Sequence, residues 1–149
     1  MSAAYAIQAA IFTLLRANAG LSALLASSVI DGDSANKAVY DQAPQVDQSE
    51  GTTAFPYVVI GEDTAGEFDA DDFAGQETTI TLHVWSRYRG KKEVKQILDA
   101  LYSALHNAAL TVTGHIAVYC YFEYSESFQD PDGVSMHGVA RYRIVTQRN

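Results

Sequence analysis

The sequence has few of the features that mark extracellular or membrane-spanning proteins. Among 149 residues there is one cysteine, Cys120, so no internal disulfide and no multi-cysteine zinc site can form. No apolar run reaches the roughly 18 residues that a membrane-spanning helix needs. The apolar residues near the N-terminus follow no basic segment, so we expect no signal peptide. A chain that needs no disulfide suits a reducing cytoplasm.

Basic residues are also scarce. The chain has 10 Lys and Arg against 18 Asp and Glu, which gives a formal net charge of −8. Binding to nucleic acid is driven by Lys and Arg on phosphates, so this balance argues against nucleic-acid binding as the main task. The deficit is uneven, because residues 31–77 contain 12 of the acids and a single base, Lys37.

Two segments have the apolar spacing of an amphipathic helix. The first follows Ser2 as N-cap, and Asn18 and Gly20 are expected to end it. Residues 21–26 can add one more turn. The second, after residue 92, has the strongest helical pattern in the chain. Its apolar stripe consists of Val94, Ile97, Leu98, Leu101 and Leu105.

Alternating or short apolar segments predict about five or six β-strands. Pro56 precedes one of them, which suits a strand's first position because proline lacks an N–H. A strong turn signal at residues 130–133 predicts a closing hairpin. The predicted strands are 39–40, 57–60, 78–86, 110–113, 116–124 and 134–144. Together the pattern indicates one α+β domain over residues 1–149, a mostly antiparallel sheet with two main helices packed on one face.

Polar segments separate these elements, and the most acidic of them spans residues 61–75. We expect it to be a solvated, mobile loop or a hairpin tip, with a negatively charged lining or contact as its functional role. Calcium-loop spacing fails at both Asp31 and Asp69, because glycine is missing at the sixth position. The candidate lumen or contact residues are Glu62, Asp63, Glu67, Asp69, Asp71 and Asp72.

No catalytic motif is present. The chain has no phosphate-binding loop, no dinucleotide-binding motif and no nucleophile elbow. His83 and His137 fall on the polar faces of two predicted strands and would lie close if these strands pair, but two histidines make a weak metal site. Cys120 has aromatic neighbours and no adjacent base, which favours a buried hydrophobe over a catalytic thiol. We therefore expect no enzyme activity, no metal and no cofactor.

Residues 87–92 hold four of the ten basic residues. This segment could be a solvated helix start, a nucleic-acid contact, or a surface that meets an acidic face of a neighbouring subunit. Aromatic side chains on polar strand faces fit an interface, or else a second core layer under a helix. The candidate subunit-interface residues are Trp85, Arg87, Arg89, Lys91, Lys92, Tyr119 and Tyr121.

Several short motifs follow one another in a specific order. They are residues 55–61 (FPYVVIG), residues 82–87 (LHVWSR) with Gly90, and Asp132-Gly133 followed by His137-Gly138. In order and spacing they resemble the tail-completion or tail-terminator family of long-tailed bacteriophages and related particles. The resemblance runs over nearly the whole chain, from the first helix to Arg143, and implies an α+β fold without catalytic residues.

The resemblance also implies a structural role in a virion. Such proteins form a hexameric ring on the head-proximal end of the tail tube, stop tube growth and present a surface to the head connector, while DNA passes through the lumen without specific binding. The implied partners are other copies of the chain, the tail tube protein and a head connector or stopper protein. The implied location is the bacterial host cytoplasm during assembly, and then the head–tail junction of the virion or phage-like particle.

Two questions stay open at this level. The acidic segment could line the lumen, where like charge would keep DNA from binding, or form an outer fringe. The alternative functions are a head-side connector or stopper protein, a small metal- or ligand-binding α+β enzyme that uses His83 and His137, and a nucleic-acid-binding module that uses residues 87–95.

Overall fold

The computed structural model describes residues 2–26, 38–43 and 55–149. The chain forms an α+β fold with a five-stranded, mostly antiparallel sheet, as predicted. The elements are α1 (Ala4–Ala17), α2 (Ala19–Ser22), β1 (Val39–Tyr40), β2 (Tyr57–Glu67), β3 (Gly75–Ser86), α3 (Lys92–Leu105), β4 (His115–Gln129) and β5 (Met136–Arg148). Residues 31–37, where the failed calcium motif begins, and residues 45–53 lie outside the described residues.

The strands lie in the order β1-β2-β3-β5-β4. β1 pairs with β2 in parallel, and every other neighbouring pair is antiparallel. The chain leaves the sheet after β3, forms α3, and returns at the edge strand β4, so that β5 fills the gap between β3 and β4. The 15-residue β4 is therefore an edge strand, with α3 crossing beside it.

The helices and one face of the sheet enclose the core. α1 buries Ile7, Ile11 and Leu15. From α3, the predicted stripe is buried except for Leu98, which is only partly covered. The sheet contributes, among others, Ile80, Leu82, Val84, Cys120, Tyr142 and Ile144. The alternation of β3 is thus confirmed, with His83 and Trp85 on the face away from these helices.

The end of the first helix differs from the prediction. Asn18 does end α1, but it also starts α2, because its side-chain oxygen accepts a hydrogen bond of 2.9 Å from the Leu21 N–H. Gly20 lies inside α2 and is not a C-cap. A side-chain N-cap outweighs the glycine signal here, since it satisfies a free N–H of the new helix.

Four strand predictions are corrected. Residues 110–113 form no strand. Leu110 and Val112 are apolar and pack against the core, and this burial requires no pairing with another strand. β2 and β4 extend well beyond the predicted 57–60 and 116–124, since pairing with long neighbours holds polar residues in strands as well. Val134 is exposed in the turn before β5 and does not share the buried face.

Candidate interaction surfaces

The acidic segment is a β-hairpin, so the loop alternative is wrong. β2 continues through it and pairs with β3 as far as Glu67 with Gln76. A bulge after Ile60 interrupts the register before Asp63. Three candidate acids, Glu62, Asp63 and Glu67, therefore lie on a strand. The other three, Asp69, Asp71 and Asp72, lie in the connection, residues 68–74, which we call the hairpin tip.

Backbone and side-chain contacts order the hairpin tip. Ala70 and Phe73 exchange two backbone hydrogen bonds, of 2.8 and 3.0 Å. The Asp69 carboxylate accepts a hydrogen bond of 2.9 Å from the Gly75 N–H, and the Phe73 ring lies directly over Gly75, where any side chain would collide. The second phenylalanine, Phe68, is 47% exposed. The tip therefore presents an apolar ring together with carboxylates.

The basic segment lies at the other end of β3. Arg87 is held there, because its Nε donates a 3.0 Å hydrogen bond to Ser135 and its guanidinium lies 4.5 Å from the Phe55 ring centroid. Arg89, Lys91 and Lys92 are exposed, and within the described part of the chain none of them forms an ion pair. The 12 residues of β3 separate this segment from the hairpin tip by roughly 40 Å. Opposite charges thus lie at opposite ends of one strand.

Pairing of β3 with β5 brings the two predicted histidines together on the sheet face away from the helices. Nδ1 of His83 lies 2.8 Å from Nε2 of His137, and the other ring nitrogen of His83 lies 2.9 Å from the Glu62 carboxylate. The Trp85 ring is stacked on His137 and is only partly exposed. Among residues 2–26, 38–43 and 55–149, no three His, Cys, Asp or Glu side chains could hold a metal ion.

This histidine cluster has altered protonation equilibria. Burial lowers the pKa of His137, and the neighbouring His83 lowers it further. The hydrogen bond from His83 lowers the pKa of Glu62, whose carboxylate is otherwise well exposed. The arrangement therefore favours a neutral His137 and an ionised Glu62, and it can position side chains for contact at neutral pH.

The two predicted tyrosines lie on the edge strand β4. The rings of Tyr119 and Tyr121 are stacked with centroids 4.7 Å apart, and Tyr121 remains exposed. Nearby, His106 accepts a hydrogen bond of 3.1 Å from the Phe122 N–H and so occupies part of the free edge of the sheet. The tyrosine pair therefore forms an aromatic surface, with Tyr121 exposed and Tyr119 half-buried, and it does not belong to the core.

One surface was not predicted from the sequence. A groove of about 520 Å³ runs between α3 and β4, and we call it the α3–β4 groove. It is lined by Lys95, Leu98, Asp99, Tyr102, Phe122, Ser125, Glu126 and Ser127. Its residues come from two segments, 95–102 and 122–127, so no local pattern could reveal it. The single signal was Leu98, an apolar residue at the margin of the helical stripe.

Comparison with known proteins assigns the family. The family model described as "Tail completion protein gp17" matches residues 9–147. The tail completion protein gp17 of Bacillus phage SPP1 is 29% identical over 106 residues, which cover 70% of this chain and 78% of that protein. A chain in the solved virion of a native gene transfer agent particle has the same fold, with a TM-score of 0.79, 24% identity and 98% of each chain covered.

In the described ranges, with their gaps at 27–37 and 44–54, no helix is long and apolar enough to cross a membrane. The match to the family model spans nearly the whole chain and includes both ends of β3 and the α3–β4 groove. The protein therefore belongs to the tail completion protein gp17 family, a family of structural proteins of phage tails.

Proposed function

We propose that the protein caps the head-proximal end of a phage or phage-like tail tube as a hexameric ring. In this role it ends tube polymerisation and forms the surface that joins the head. Family membership supports the place in the tail. The observation that carries the ring is the separation of the acidic hairpin tip from the basic segment by the length of β3. A subunit with complementary patches at opposite ends can repeat head to tail, and such contacts close into a ring when the rotation allows it.

The acidic strand of the hairpin would serve DNA passage. Glu62, Asp63 and Glu67 lie on β2 and are exposed, so they can face the lumen of such a ring. Carboxylates repel phosphates and offer no counterion release, so DNA would pass without binding. The test is retention on immobilised duplex DNA at low salt. Passage without binding predicts no retention, and strong salt-dependent retention would instead favour a nucleic-acid-binding role for residues 87–95.

The partners follow from the place of the ring. One face would contact the tail tube protein, and the other a head connector or stopper protein. The subunits would assemble in the bacterial cytoplasm and then remain at the head–tail junction of the particle. No catalytic step belongs to this role.

Negative-stain microscopy and native mass measurement of the purified protein, alone and mixed with isolated tail tubes, test the proposal. We expect six-fold rings and tubes that carry one ring at a single end. A protein that stays monomeric and does not bind tail tubes would contradict both the ring and its role as a cap. Binding to DNA-filled heads but not to isolated tubes would identify a head-side connector or stopper instead.

A further inference from the structure

The hairpin tip carries an exposed phenylalanine and carboxylates, and the α3–β4 groove has apolar walls with Lys95 among its lining residues. We propose that the tip of one subunit docks into the groove of the next subunit, with Phe68 as its apolar anchor. The occupant of the groove is thus a second copy of this chain. This contact rests on the ring proposed above and specifies which residues hold it together.

The apolar part of the contact comes from Phe68. It lies at the base of the tip, where its N–H donates to the Gly75 carbonyl, and its side chain stays 47% exposed, although Phe73 in the same tip packs over Gly75. In the groove, Leu98, Tyr102 and Phe122 offer apolar surface, with the Tyr102 and Phe122 rings in edge contact at 5.3 Å. Aromatic residues that fill a pocket on a partner carry much of the binding energy of interfaces.

Charge decides the orientation of the docked tip. Asp71 and Asp72 are exposed in the tip. Lys95 lines the groove, and Lys91, the N-cap residue of α3, lies four residues before it, about one helical turn away. The groove also contains Asp99 and Glu126, which repel carboxylates. The tip acids would therefore face Lys91 and Lys95, while Phe68 alone reaches further in.

A subunit cannot make this contact with itself. Ser127 of the groove is level with Gly138, which pairs with Val84 near the end of β3. The tip precedes Gly75, so about nine residues of extended strand, roughly 30 Å, separate it from the Ser127 end of the groove, and about five residues, roughly 16 Å, separate it from Phe122, which is level with Ile80. The contact joins two different patches on two copies, which is the arrangement that generates a closed ring.

Site-specific disulfide formation between two variants tests the contact directly. Cys120 is buried and is the single native cysteine, so introduced thiols report cleanly. Chains with F68C mixed with chains with Y102C should form a disulfide-linked pair under mild oxidation. The matched control is F68C mixed with Y5C, because Tyr5 is also an exposed aromatic, at 83%, but lies on α1. Equal crosslinking in both mixtures, or none in the first, would overturn the proposal.

Charge reversal provides a second, independent test. D71K with D72K, or K91E with K95E, should lower the ring fraction at least tenfold, with unchanged circular dichroism. The four changes together in one chain should restore rings, because the contact is again complementary. If they do not restore rings, the docking is wrong. Rings that cap tubes but show neither crosslink nor rescue would overturn the docking contact while leaving the proposed function intact.

Discussion

The indole of Trp85 lies stacked on the imidazole of His137, with ring centroids 3.9 Å apart and ring planes inclined by 16°. His137 in turn contacts His83, and His83 contacts Glu62 on the acidic strand. A chain of four side chains from β2, β3 and β5 thus joins the predicted interface tryptophan to the hairpin. Trp85 is thus packed on a titratable ring within the subunit.

We expect the protein to lose stability in mildly acidic solution through His137. Its pKa is lowered from 6.5 by burial, so the unfolded chain binds a proton more readily than the folded protein. The stabilising contribution is therefore complete above 6.5 and is lost as pH falls through the lowered folded-state value. Urea unfolding can be followed by fluorescence of Trp85, the single tryptophan. The urea concentration at the midpoint should decrease as the pH is lowered, and it should decrease less in H137Q. An H115Q control should behave like the wild type, since the ring of His115 contacts the Thr113 carbonyl instead.

Ser86 ties the end of β3 to the start of α3. Its buried hydroxyl donates a 2.7 Å hydrogen bond to Glu93 and accepts one of 3.1 Å from the Tyr88 N–H. S86A leaves both partners without this bond and should lower the free energy of unfolding by about 1–2 kcal/mol. Chemical denaturation measures this loss. S103A, on the exposed side of α3, should change stability little, and equal losses in both variants would contradict the role of Ser86.

Gly138 lies where α3 packs closely against the sheet. A Cβ there would stand 2.7 Å from Val94 and 3.3 Å from both Leu98 and Val84. G138A should therefore lower the free energy of unfolding by about 1–3 kcal/mol, because the helix must shift. The control is G66A, where nothing lies within 4 Å, and its effect should stay within about 0.5 kcal/mol. Similar denaturation midpoints for the two variants would show that the helix tolerates the extra methyl group.

Cys120 should be inert in the folded protein. Burial raises the pKa of its thiol to about 12, so almost no thiolate forms near neutral pH, and access is blocked as well. Reaction with Ellman's reagent at pH 8 should be negligible without denaturant and complete in urea. The F68C variant should gain one fast-reacting thiol. Rapid reaction of the native wild-type protein would contradict the buried position.

Local sequence patterns correctly predicted the structural features that depend on interactions between neighbouring residues. The α3 stripe is confirmed at Val94, Ile97, Leu101 and Leu105, since one buried face repeats every three to four residues. The turn after β4 is confirmed as well, because Asp132 accepts hydrogen bonds from the N–H groups of the two residues that follow Gly133. Both signals lie within a few residues of the structure they produce.

Local sequence patterns did not predict the parts of the structure that depend on contacts between distant residues. Glu62, Asp63 and Glu67 have no strand pattern, yet they lie in β2 because β3 offers a long partner. Leu110 and Val112 have the apolar character of a strand but pack on the core without pairing. The α3–β4 groove combines two segments that only the sheet order brings together.

The sequence by itself determined the class of fold, the family resemblance and the uneven charge, because composition, periodicity and turn chemistry are properties of neighbouring residues. Only the tertiary structure decided that the acidic tip and the basic segment stand at opposite ends of β3, that His137 stacks on Trp85, and that Phe68 stays exposed while a groove forms beside α3. The physical reason is strand pairing. Its register places residues more than fifty positions apart side by side, and no local pattern encodes which strand will be the neighbour.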